Sequence, residues 1–160
     1  MLERTLVLLP VTLKDARVLF NWRKDPLTQA NSRNRSELTE AQYDAHVMWL
    51  TKSLTNPDRK LFIAQDGDML VGTVRSDFDA EDGYTELSYT VAPEARGKGY
   101  GKAMVMQFIA EQLKGAKIKA EIKKGGNEPS EGIARALGLS PVSEGASTDE
   151  GDPRSLVLWK

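Results

Sequence analysis

The segment Arg96-Gly97-Lys98-Gly99-Tyr100-Gly101-Lys102 sets three glycines among three basic side chains, directly after a strand-like run that closes on Val91-Ala92-Pro93. Glycines clear side chains from the chain, so that backbone N–H groups at the start of a following helix can face an anion such as a pyrophosphate. The two commonest nucleotide loops do not fit. A dinucleotide-binding G-x-G-x-x-G needs glycine where Lys102 stands, and a G-x-x-x-x-G-K-[ST] phosphate loop fails at Arg96 and again at Ala103. What is left is a tight strand-to-helix connection or an anion cradle formed by the amides of Arg96, Gly97, Lys98, Gly99, Tyr100 and Gly101. The dipole of the helix that follows would back such a cradle, and the Arg96, Lys98 and Lys102 side chains would screen the anion.

Other chemistries are bounded by what the chain lacks. There is no cysteine and a single histidine, His46, so disulfides, thiolate metal sites and a cysteine nucleophile are excluded. A zinc site or a Ser/His/Asp triad would hang on that one imidazole, and no metal is expected. Lys+Arg total 22 against 23 Asp+Glu, for a formal charge of −1, so the basic surplus that usually underlies nucleic-acid binding is missing. No apolar run approaches the ~18 residues of a membrane span, and the N-terminal segment lacks the form of a cleaved leader. The expectation is a cytoplasmic protein of one domain over residues 1–160, monomeric or homodimeric.

The elements that must position the loop read as follows. Residues 5–12 form a strand and 12–26 a helix capped by Thr12 and ended by Pro26; 27–37 are polar and aperiodic, a loop. Thr39 and Gln42 make a capping box before a helix on which Tyr43, Val47, Leu50 and Leu54 recur at helical spacing. Two apolar runs around Asp66-Gly67-Asp68 form a hairpin, and residues 84–93 continue the meander. An amphipathic helix with Val105, Phe108, Ile109 and Leu113 follows the glycine loop and stops at Gly115; then come a strand (116–122), a helix with Pro129 in its first turn and Gly138 at its end, and a final strand (155–160). Residues 143–153 read as an exposed loop. This order predicts an α/β (α+β) fold with a mixed sheet and helices on both faces.

Arg96-x-x-Gly99-x-Gly101, placed between a strand and an amphipathic helix, resembles the pyrophosphate loop [QR]-x-x-G-x-[GA] of the GNAT (Gcn5-related) N-acetyltransferases. The segment from Asn127 through Ser130 to Leu137-Gly138-Leu139 is similar to that family's second signature, and the element order matches over essentially the whole chain. The resemblance implies the acyl-CoA N-acyltransferase fold, with a mostly antiparallel mixed sheet, and acetyl-coenzyme A as co-substrate. It further implies that the strand before the loop splays from the next strand, with the pantetheine arm in the gap. Val91 would bond that arm through its backbone, the loop amides would hold the pyrophosphate, and Asn127 and Ser130 would contact the cofactor from the far side. Glu86, five residues before Val91, occupies a place where the family commonly sets a carboxylate, and is the candidate base. The family's usual acid, a tyrosine seven residues after Asn127, is replaced by Ala134; Tyr89 or Tyr100 would serve, or the thiolate would leave unprotonated.

The acceptor is read from the first half of the chain. Residues 19–26, 39–50 and 71–78 resemble in part the GNAT members that acetylate amino sugars on nucleotides, of the pseudaminic-acid-pathway type, although Lys24 stands where asparagine is usual. Trp22, Arg23, Arg33, Arg35, His46, Trp49 and Arg75 offer stacking surfaces and cations to a base and a diphosphate. Trp22, Trp49 and His46 suit a packed core equally well. A peptide amine is the rival acceptor, and a non-catalytic acyl-coenzyme A sensor is the rival function, motivated by Ala134. The acidic residues Asp77, Asp79, Glu81 and Asp82 read as a solvated turn rather than a polyamine pocket.

Overall fold

The computed structural model describes residues 5–31, 38–125, 127–145 and 154–160. After strand β1 (Val7–Pro10), Thr12 caps a single 3₁₀ turn, its hydroxyl accepting from the Lys14 N–H at 3.3 Å while Asp15 Oδ2 accepts from the Thr12 N–H at 2.9 Å. That turn leads into α1 (Ala16–Arg23), which buries Ala16, Leu19, Phe20 and Trp22. Pro26 does more than end this helix: it opens a further one, α2 (Pro26–Asn31), in what the sequence suggested was a loop. Asp25 accepts from the Thr28 N–H at 3.0 Å, and proline suits the first helical position because no N–H is needed there. Residues 32–37, with Arg33 and Arg35, lie outside the described residues.

The Thr39–Gln42 box forms as expected, the Thr39 N–H donating to Gln42 Oε1 at 2.7 Å, and α3 (Tyr43–Thr55) follows. Its buried side is His46, Leu50 and Ser53, whereas Leu54 is 39% exposed, so the stripe facing the core is rotated from the one that spacing suggested. Strands β2 (Arg59–Asp66), β3 (Met69–Asp79) and β4 (Tyr84–Val91) form the meander, with Gly67 at φ 59° in the first turn. Then come α4 (Tyr100–Gln112), β5 (Ile118–Lys123), α5 (Glu128–Ala136), β6 (Pro141–Gly145) and β7 (Leu156–Trp159). Residues 143–145 therefore belong to a strand and not to a loop, and 146–153 lie outside the described residues.

The sheet order is β1-β2-β3-β4-β5-β7-β6, and every pairing is antiparallel except β4–β5. This is the mixed, mostly antiparallel sheet that the element order predicted. Residues opposed across a ladder share a face. Leu61, Arg75 and Ser88 thus lie on one face with Asp77 and Glu86, and α3 covers part of it: Arg59 Nη1 donates to Ser53 Oγ at 2.8 Å. Phe62, Val74 and Tyr89 lie on the other, under α4, where the Phe62 and Phe108 rings are 5.5 Å apart. Met104, Val105 and Phe108 are fully buried there, each apolar side chain contributing about 1.5–3 kcal/mol.

The feature that matters for function is the junction of β4 with β5. Its ladder holds two registered pairs, Thr85 with Ile118 and Glu86 with Lys119. Beyond Glu86 the strands part, and β4 from Leu87 to Val91 pairs only with β3. An unpaired strand edge presents N–H and C=O groups to whatever enters the gap.

Candidate active site

The glycine loop lies where β4 runs out. Gly97 (φ 76°) and Gly99 (φ 81°) both occupy the left-handed region, which a β-branched residue adopts only under strain, and Gly99 is the N-cap of α4. The first α4 N–H groups have no partner one turn earlier; the ladder begins with Ala103 N–H to Gly99 O at 3.2 Å. Gly97, Lys98 and Gly99 are exposed. Gly101 has a different reason: a Cβ there would sit 3.1 Å from Tyr89 Cε2 and 3.4 Å from both Val91 Cγ2 and Ile133 Cδ1. Two glycines shape the cradle, and the third lets α4 close on β4 and α5.

Two loop side chains are committed elsewhere. The Arg96 guanidinium, expected to screen the anion, pairs with the Asp25 carboxylate and donates to Thr28 Oγ1 at 3.0 Å. It clamps the loop to the start of α2, and with the Thr28 backbone it holds the Asp25 carboxyl below its usual range. The Tyr100 ring is buried and its hydroxyl donates to Asp66, so it is not placed as a proton donor to a thiol. Lys98 and Lys102 are exposed.

Across the gap, Asn127 stands at the start of α5 with φ −133° and its side chain makes no capping bond. Ordinary helix capping therefore does not account for it. Ser130 Oγ lies 2.8 Å from the Tyr89 hydroxyl, bridging α5 to β4. Burial pushes the Tyr89 phenol above its usual pKa, outweighing the bond to Ser130, and keeps it protonated at neutral pH. Ala134 is 3% exposed and packs with Ile122, Val157 and Trp159, so the slot of the usual acid has become core. Val91 ends β4 between Gly72, its partner on β3, and the gap. The bare left-handed loop, the uncapped Asn127 and the unpaired edge of β4 fit a phosphorylated, extended cofactor.

The other face carries the acceptor candidates. Glu86 is the last β4 residue paired on both sides, opposite Asp77 and Lys119, and so sits at the apex of the gap. Arg75, opposite Ser88, has Nε 3.0 Å from Asp77 Oδ2, and Arg59 Nε donates to Asp77 Oδ1 at 2.6 Å. Asp79 and Asp82 both bind Lys119 Nζ, at 2.7 and 2.9 Å, which raises the Lys119 pKa, and the Tyr84 N–H together with Lys119 holds Asp82 down at about 2.

Arg23, at the end of α1, lies with its guanidinium 5.0 Å from the Trp49 ring centroid and Nη1 2.8 Å from His46 Nδ1. Arginine only donates, so Nδ1 accepts; Nε2, 3.1 Å from the Ala16 carbonyl, carries the proton. His46 is thus neutral, in agreement with a pKa lowered by burial and by Arg23. At 2% exposure it does not reach a substrate but orients Arg23. Trp22 is 4% exposed within the main core, which corrects its expected role in substrate binding, whereas Trp49 lies against Arg23 and His46.

Residues 5–140 match the model of the acetyltransferase (GNAT) domain. The chain belongs to the GNAT acetyltransferase family. As a GNAT member it is an N-acetyltransferase. No curated protein sequence matches it. Among solved structures, a Vibrio cholerae spermidine N-acetyltransferase in complex with CoA and spermine superimposes with a TM-score of 0.81 at 17% identity, covering 96% of this chain and 93% of that one. A Brucella melitensis ribosomal-protein-alanine N-acetyltransferase gives 0.76 at 21% identity, covering 96% and 97%, and a protein assigned as a phosphinothricin N-acetyltransferase gives 0.76 at 19%, covering 97% and 96%. At these identities the likeness shows the GNAT fold. Among the described residues no helix is long and apolar enough to cross a membrane, and no three His, Cys, Asp or Glu group to hold a metal.

Within this GNAT domain, sequence reasoning missed Asp25 and Thr28, which tie the glycine loop to α2. The signal was the Asp25-Pro26 dipeptide, a helix start as much as a helix stop.

Proposed function

We propose that this GNAT domain moves an acetyl group from acetyl-coenzyme A to a primary amine by direct attack on the thioester, and that the acceptor is an amino sugar nucleotide. The observation that carries the donor half is the parting of β4 from β5 directly above the glycine loop. The amides of Gly97 through Gly101 hold the pyrophosphate, the free edge of β4 at Val91 bonds the extended arm, and Asn127 closes the far side. Acetyl-coenzyme A supplies the activated carbonyl. A β4 amide in the gap stabilises charge developing on its oxygen.

An alkyl ammonium has a pKa of about 10, so at neutral pH a base must take its proton before the nitrogen can attack. Glu86, at the apex of the gap, is that base. Tyr89, protonated and half-buried, gives its proton to the leaving thiolate and regains one through Ser130. The amino-sugar-nucleotide reading draws on Arg23, Arg75 and Trp49, which suit a diphosphate and a planar base. The solved spermidine and ribosomal-protein-alanine enzymes make polyamines and peptide amines the alternatives to exclude. A polyamine calls for uncommitted carboxylates, whereas Asp77, Asp79 and Asp82 are each engaged by a cation.

The experiment follows thiol release from acetyl-coenzyme A with amino sugar nucleotides, peptides and polyamines as acceptors. Turnover with the sugar nucleotides is expected; turnover with peptides alone would overturn that acceptor. The buried Ala134 favours a second reading, a non-catalytic sensor, which tight coenzyme binding without any turnover would select.

A further inference from the structure

Strand β4 pairs with β3 in one unbroken register from Tyr84 to Val91, so its parting from β5 does not come from a bulge in β4. The register with β5 would let the ladder run on. Its two pairs, Thr85 with Ile118 and Glu86 with Lys119, would extend to set Ser88 beside Glu121 and Thr90 beside Lys123. Facing strand edges gain backbone hydrogen bonds by zipping together, so a gap that stands open needs a support.

Helix α2 is placed to give it. At the start of α2, Asp25 pairs with the Arg96 guanidinium, and Arg96 also donates to Thr28 Oγ1 at 3.0 Å, which fixes this end to the chain just past β4. At the other end the Ala30 carbonyl accepts from Lys123 Nζ at 3.2 Å and from the Arg154 guanidinium, and Arg154 Nη1 donates to Asn31 Oδ1 at 2.9 Å. The last carbonyls of a helix lack partners within it, and cations from elsewhere satisfy them. Lys123 ends β5, and Arg154 leads into β7, the antiparallel neighbour of β5. One short helix is thus fastened to both sides of the gap.

The character of α2 is that of a spacer and not of a piece of core. None of its residues is buried, and Leu27 is 51% exposed. Its six residues are too few for a helix to persist in water unaided, so the ties at its ends hold it. Lys123, by contrast, is 1% exposed, and lysine is taken so far out of water only when it is paired. At ~1.5 Å per residue α2 is about 9 Å long, roughly twice the ~4.8 Å between paired strands, which suits a slot one extended chain wide.

We propose that α2 is a spreader that holds β4 and β5 apart in the coenzyme-free protein, and that Lys123 and Arg154 are positioning residues for coenzyme binding that act through it. This rests on the reading of the gap as the coenzyme site and deepens it: the slot is open beforehand, so binding does not have to break a ladder.

Hydrogen exchange of the coenzyme-free protein tests the spreader, and calorimetry with acetyl-coenzyme A tests the reading beneath it. The variant Lys123→Met/Arg154→Met frees the far end of α2 without touching the glycine loop. In it the β4 amides between Leu87 and Val91 should exchange about tenfold or more slowly than in the unaltered protein, because the strands zip; loss of a merely stabilising contact would speed exchange instead. The same variant should bind acetyl-coenzyme A about tenfold more weakly, since the open form becomes the minor one. Exchange at 87–91 that is unchanged or faster, or undiminished affinity, would overturn the spreader. Failure of the unaltered protein to bind acetyl-coenzyme A would overturn the coenzyme reading and leave the exchange comparison to decide on α2. If the double variant fails to fold, Asp25→Asn, which frees the near end, carries the same exchange comparison.

Discussion

On the α4 side of the sheet the proposed coenzyme site is made of backbone: Gly97 and Gly99 at positive φ, the first amides of α4 and the bare edge of β4. The side chains there have been removed, as at Gly101, or turned to other work, as with Tyr100 on Asp66 and Arg96 on Asp25. On the opposite face the chemistry is in side chains: Glu86 at the apex, Arg75 beside it, and Arg23 held by His46 and Trp49. A backbone site tolerates many residue changes and fails when a dihedral angle is forced. A side-chain site tolerates small backbone shifts and fails when one functional group is exchanged. In the proposed arrangement the coenzyme is held by backbone and the acceptor by side chains.

Substitutions that break one side should leave the other measurable. The largest effect is expected at Glu86: Glu86→Gln should lower kcat roughly 10²–10⁴-fold with coenzyme affinity unchanged, the loss being greatest at low pH, where the ammonium form prevails. An unaltered pH–rate profile would remove Glu86 from the role of base. Gly99→Val should do the reverse, weakening coenzyme binding about tenfold or more through strain at φ 81° while leaving the acceptor groups in place.

The link between the two sides comes next. Arg96→Gln and Asp25→Asn should each weaken both coenzyme and acceptor binding, by less than Gly99→Val, and the double variant should be no worse than either single one, as expected for a shared contact. Because Arg96 depresses the Asp25 pKa, the pair adds stability above the ordinary carboxyl range that is lost as pH falls through the folded value. Melting curves of Asp25→Asn should accordingly show a smaller loss below about pH 4 than the unaltered protein.

The smallest effect is expected at His46, whose folded pKa is also depressed. Its contribution is complete above about pH 6.5 and is lost as pH falls below that, when the unfolded chain takes up a proton more readily than the folded one. His46→Gln, which keeps an acceptor for Arg23, should flatten that part of the stability profile with little change in rate.

The same contrast governed what could be read from the sequence. Backbone sites are written in glycine spacing, and Gly99 and Gly101 with Asn127 pointed to the coenzyme half because few other sequences place such residues between a strand and a helix. Strands β1 to β5 and β7 and helices α1, α3, α4 and α5 were legible from period, caps and turn residues, whereas β6, exposed along its whole length, carries no such pattern. The acceptor half was not, because a side chain's partner is set by tertiary packing. Trp22 and Trp49 look alike as letters, yet one is core and the other faces Arg23. Asp25-Pro26 read as a stop, and only the bond from the Thr28 N–H to Asp25 shows it to be a start. Arg96 is part of the loop's signature, but its side chain serves α2.

The central claim is that a backbone cradle and a parted pair of strands form the coenzyme site. Amide hydrogen exchange with and without acetyl-coenzyme A measures this directly. Protection should appear at residues 97–102 and along the open edge of β4 between Leu87 and Val91, while β1 and β6 at the sheet margins stay unchanged. Coenzyme binding that leaves both segments as exchangeable as before would contradict it.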